Sequence, residues 1–73
     1  MPDSKTLDDL KARIKELEAK AAENALIADL ATEPETRDYN AHLAQELRAL
    51  ASQLRRVQNL QEQDLQPPAR AAG

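Results

Sequence analysis

The only imidazole in the chain is His42, and Asp38 stands one helical turn before it. At that spacing a carboxylate and an imidazole share one helix face and can pass a proton. Nucleophilic or acid–base catalysis also needs a third group and a pocket that holds a substrate, and the sequence supplies neither. The thirteen Asp and Glu residues invite a di-metal reading. That chemistry takes a Glu three residues before a His, with the acids facing inward. The residue three before His42 is Tyr39, and the acids avoid the apolar stripes traced below. With no Cys there is neither a thiolate metal site nor a disulfide. The expectation is a non-enzyme without a cofactor, in which His42 is solvated.

Phosphate recognition is the other chemistry within reach. All four Lys, at 5, 11, 15 and 20, lie in the first half, and after Arg13 the second half uses Arg alone. If the chain folds back on itself, Lys11 and Lys15 come near Arg55 and Arg56. Those four form the best candidate contacts for nucleic acid, in the manner of a small four-helix-bundle regulator. Against this stand a net charge of −3, interspersed Asp8, Asp9, Glu16 and Glu18, and the lack of stacking aromatics beyond Tyr39. Membrane-surface binding lacks a Trp or Phe anchor.

Whatever these residues do, helices must position them. Ala, Leu, Glu, Gln, Lys and Arg dominate, whereas β-branched residues are scarce. The single Gly, residue 73, cannot serve a phosphate-cradling loop or a hairpin turn. No apolar run approaches the ~18 residues that span a bilayer, and no signal-peptide core follows Met1, so a cytoplasmic location is expected.

The chain divides at Thr32-Glu33-Pro34-Glu35. Pro34 belongs in the first turn of a helix, and Thr32 with Glu35 has capping-box spacing. Residues 1–5 are expected to fray, 6–65 to form a helical hairpin, and 66–73, beginning Gln66-Pro67-Pro68, to be a disordered tail. Within the hairpin the expected helices run over about 7–30 and 33–64, joined by a turn at about 31–33. Thr6 is the expected cap of the first. Asp9 with Arg13, Glu16 with Lys20 and Glu33 with Arg37 have favourable i,i+4 spacing.

Each helix carries a heptad stripe. The first is Leu7, Leu10, Ile14, Leu17, Ala21 and Asn24; the second is Asn40, Leu43, Leu47, Leu50, Leu54 and Val57. Continuing the first stripe unbroken would bring Glu35, Asp38, His42, Gln45, Ala49 and Ser52 into the seam, so one long rod fails. Folding at Thr32 pairs the stripes as mirror images, Leu7 on Val57 through Asn24 on Asn40. The predicted fold is therefore all-α, an antiparallel two-helix hairpin. The Asn24–Asn40 layer either fixes its register or, lying near the hairpin tip, is partly wet and does little.

A lone pair of helices leaves apolar residues uncovered. Leu26, Ile27, Leu30 and Tyr39 fall near the hairpin tip, and Leu60 and Leu65 on an overhang past Val57. Of the 30 hydrophobic residues 14 are Ala, too little for a self-sufficient core in a chain of this length. Dimerisation into a four-helix bundle is expected, with Ala41, Ala44 and Ala51 allowing close approach of another helix. The function expected is that of a small interaction protein, a homodimer that offers a helical surface to another helical protein.

Overall fold

The structure, a computed structural model, describes residues 4–65. It is all-helical: α1 spans Ser4–Leu30 and α2 spans Pro34–Leu65, packed against each other as a hairpin. The helices have 27 and 32 residues, hence lengths of about 40 and 48 Å. α1 begins earlier than its sequence suggests. Ser4 and Lys5, expected to fray, are helical, and Thr6 lies inside the helix instead of capping it. Residues 1–3, the Pro-Pro tail at 66–73 and the side chain of Leu65 lie outside the described set.

The turn is made by Ala31, Thr32 and Glu33, and no described residue needs a positive φ to make it. Its hydrogen bonds differ from the capping box read in the sequence. The Arg37 amide donates to the Glu33 carbonyl at 3.0 Å, which makes Glu33 the cap and puts Pro34 at the first helical position. The Thr36 hydroxyl donates to Glu33 Oε1 at 3.4 Å. Arg37, expected to pair with the Glu33 carboxylate, reaches back instead, and its Nη2 donates to the Ala31 carbonyl at 3.3 Å. The Ala31 amide donates to the Ala28 carbonyl at 3.4 Å and tightens the end of α1. One cation thus satisfies a carbonyl that would otherwise be an orphan, at a helix end where positive charge is favoured.

The core is a thin seam. On α1 it consists of buried Leu7, Ile14, Leu17, Ala21 and Ala28, with Leu10 and Asn24 half-buried. On α2 the residues turned inward are Asn40, Ala44, Leu47, Ala51, Leu54, Gln58 and Gln61, again at alternating spacings of four and three. Ile14, Leu17 and Ala51 form its centre, with Leu10, Leu47 and Leu54 packed against them.

This corrects the seam read from the sequence. Leu50 and Val57, expected in the core, are 40% and 41% exposed, and Leu43 is only half-buried, whereas Ala44 and Ala51 are 1% and 2% exposed. α2 is turned by about 50° relative to the expected phase, so that every second seam position moves on by one residue. Two stripes share Asn40, Leu47 and Leu54, and periodicity alone does not choose between Leu and Ala at the intervening positions. Packing does, because small residues opposite the large ones of α1 let the helices interdigitate and approach closely. Of the alanines expected to receive a further helix, Ala44 and Ala51 are used within the hairpin and Ala41 is exposed.

Candidate functional site

The rotation of α2 gives the hairpin two unlike edges. Along one edge charges join the helices. Arg55 donates from Nε at 2.9 Å and from Nη2 to Glu18 Oε2. Lys11 Nζ lies 3.5 Å from Glu62 Oε2. In heptad terms all four residues directly follow a seam residue: Leu10, Leu17, Leu54 and Gln61. Antiparallel helices bring such flanking positions face to face. The contacts also place residue 62 beside α1, so α2 has no overhang up to that point. Leu60 is exposed because it points away, and not because its neighbour has ended.

Two of the four residues proposed to contact phosphate, Lys11 and Arg55, are therefore held on carboxylates. Lys15 and Arg56 are exposed. An isolated basic strip is not what this edge presents; it is a charge-alternating one. Arg13, expected on Asp9, pairs with Glu16 at 2.6 Å, which removes Glu16 from the expected pairing with Lys20.

Each asparagine of the expected register layer bonds to its own helix. Asn24 Nδ2 donates to the Lys20 carbonyl at 2.9 Å, and Asn40 Nδ2 to the Thr36 carbonyl at 2.8 Å. The two do not bond each other. Asn40 is buried; Asn24 is half-buried. Toward the open end the seam turns polar. Gln58 Nε2 donates to Glu62 Oε2 at 3.5 Å, while the buried Gln61 Oε1 accepts no hydrogen bond.

His42 stands in solvent with its Nε2 3.5 Å from Glu46 Oε2, one turn after it, and not beside Asp38. Among the described residues no cluster of His, Asp or Glu could hold a metal ion. A depression at the turn is lined by Glu33, Pro34, Glu35 and Thr36, all exposed.

Exposed large apolar residues gather at the tip and on the α2 side of the opposite edge. Leu26, Ile27 and Leu30 on the last turns of α1 are exposed, as is Tyr39 on the first turn and a half of α2. Leu50, Val57 and Leu60 continue the exposed set along α2. Leu50 and Val57 are the members that sequence reasoning missed, having been assigned to the core. The signal that would have found them is electrostatic. Matching Lys11 and Glu18 against Glu62 and Arg55 fixes which edge of α2 follows the seam, and so turns the leucines to the other edge. No helix among the described residues is long and apolar enough to cross a membrane. Compared with known protein families, with curated proteins and with solved structures, the chain matches none.

Proposed function

We propose that this chain is a small non-enzymatic interaction protein whose hairpins self-associate into a four-helix assembly and offer a helical surface to a protein partner. One observation carries this reading. Seven large apolar residues (Leu26, Ile27, Leu30, Tyr39, Leu50, Val57 and Leu60) stand 40% or more exposed on a hairpin whose core is a single seam. Scattered exposed leucines are ordinary, but so many large apolar side chains exposed on so small a molecule mark surfaces that another helix covers. Contact is made by laying apolar positions of one helix face against a second helix, with the charged residues around them excluded. Leu26, Ile27 and Leu30 at the tip are the residues assigned to the partner.

No observation favours nucleic acid as the ligand, since Lys11 and Arg55 already neutralise Glu62 and Glu18. Phosphate contacts weaken steeply with salt. Retention on a polyanion column at low salt, lost as salt rises, would replace the present reading with the nucleic-acid one; passage through the column is the expected result. Self-association is tested by light scattering over a concentration series. The expected mass rises from the 8.1 kDa of one chain toward twice that value. A constant single-chain mass would sink the self-association half of the proposal. For the partner half, proximity labelling with the wild type and with Leu26→Ser/Leu30→Ser should show neighbours lost from the variant.

A further inference from the structure

The large apolar residues of α2 that lie outside the seam, exposed Tyr39, Leu50, Val57 and Leu60 and half-buried Leu43, are not scattered. Tyr39, Leu43, Leu50, Val57 and Leu60 fall at alternating heptad spacings, with Glu46 and Gln53 filling the two remaining places. This is a second seam on the same helix, about 100° around from the one that faces α1. A helix that touches two neighbours needs this arrangement. α1 has no counterpart: Arg13, Glu16, Lys20 and Glu23 occupy its matching edge, and only Ile27 and Leu30 at the tip are apolar.

The second seam is also nearly the same read in either direction. Leu43 and Val57 each stand seven residues from Leu50, Tyr39 and Leu60 stand eleven and ten away, and the polar Glu46 and Gln53 four and three. A surface that reads alike both ways is self-complementary under a two-fold axis, the symmetry of nearly all small homodimers. From this we infer that the second copy docks α2 against α2 in antiparallel fashion, with the axis passing near Leu50. This inference rests on the self-association proposed above and names its face and direction.

Leu43 then lies on Val57 of the partner subunit, and Tyr39 on Leu60 of the partner subunit. Charge favours the same direction. Glu46 comes four residues before Leu50 and Arg56 six after it, so the axis sets Glu46 close to Arg56 of the partner subunit, twice. A parallel pair would set Glu46 on Glu46 and Arg56 on Arg56. The strip from Tyr39 to Leu60 is about 32 Å long and about 10 Å wide, on the order of 300 Å² per protomer. That is below the area of a standard stable interface, so dissociation on dilution is expected. The α1 helices stay on the outside of the assembly.

The chain has no Cys, so single-cysteine variants of the full protein read the contact directly. Under mild oxidation at a concentration where the wild type is dimeric, Leu50→Cys should link to itself at least about tenfold faster than Ala19→Cys, through its high effective concentration. Ala19 lies exposed on α1. Glu46→Cys mixed with Gln53→Cys removes no apolar group and repeats the test should Leu50→Cys lose its helical circular dichroism, because residue 53 lies about 1.5 Å from the partner's Glu46 along the pair. Leu43→Cys alone should not link, because its copy lies about 21 Å away along the pair; mixed with Val57→Cys, it should. A dimer by light scattering in which neither Leu50→Cys nor the mixture of Glu46→Cys with Gln53→Cys outpaces Ala19→Cys overturns this contact and leaves self-association standing. Self-linking of Leu43→Cys overturns the antiparallel direction. A single-chain mass at every concentration overturns both the contact and the self-association beneath it.

Discussion

At the residue scale, neighbouring positions 50 and 51 have opposite jobs. Ala51 is packed on Ile14 and Leu17 at the centre of the seam, whereas Leu50 is on the open edge. Enlarging Ala51 forces the helices apart, and overpacking of this kind costs about 1–3 kcal/mol. Ala51→Leu should lower the urea midpoint accordingly, measured at a concentration where the chain is monomeric. Leu50→Ser, at a side chain already 40% exposed, should cost about 1–2 kcal/mol under the same conditions, while weakening association at higher concentration. A larger loss from Leu50→Ser than from Ala51→Leu would restore the seam that the leucines alone suggest. Gln61 supplies a second test. Its buried Oε1 has no donor, and such a group carries a desolvation penalty of about 1–3 kcal/mol. Gln61→Leu should therefore raise the midpoint; a lowered midpoint would mean that Oε1 finds a donor in solution.

At the element scale, the turn decides where α2 begins. Pro34 sits at the first helical position, where its missing amide hydrogen costs nothing and its fixed φ is already helical. Its benefit is mostly the lower entropy of the unfolded chain. Pro34→Ala should thus destabilise by about 0.4–1 kcal/mol without changing helix content, as read by urea unfolding and circular dichroism. The break itself was legible in the sequence because Pro34 is a strong local constraint, and the hairpin followed from two heptad stripes that cannot continue as one rod. The phase of α2 was not legible from those stripes. Asn40, Leu47 and Leu54 belong to both candidate seams, and the choice between Leu50 and Ala51 depends on what α1 presents across the gap. The capping pattern failed for a related reason. Thr32 with Glu35 has the right spacing, but the chain closes one residue later, where Arg37 can reach the Ala31 carbonyl. Local motifs name the available hydrogen bonds, and the packed neighbour selects among them.

At the scale of the whole molecule, the hairpin is asymmetric across its long axis: ion pairs join the two helices along one edge, and along the other α2 presents a row of mostly apolar side chains. The sealed edge contributes little to stability, since Arg55 and Glu18 are both partly in solvent, 56% and 40% exposed, and such pairs yield at most about 1 kcal/mol. Their role is to say which edge stays closed to a neighbour. The open edge then couples stability to concentration. A monomeric hairpin melts at a temperature independent of its concentration, whereas one that binds its own copy only when folded gains stability by mass action. The melting temperature should therefore climb as protein is concentrated. The charges that flank the edge give this a direction. Glu46→Arg sets two arginines together at each end of the antiparallel pair, and Arg56→Glu sets two glutamates together. Each single reversal should weaken dimerisation several-fold and flatten the concentration dependence of melting. The double reversal restores opposite charges across the axis and should recover the wild-type slope. In a parallel pair the like charges meet in the wild type and in all three variants alike, so recovery by the double variant distinguishes the two directions. If the single reversals leave the slope unchanged, Glu46 and Arg56 do not face each other across the axis.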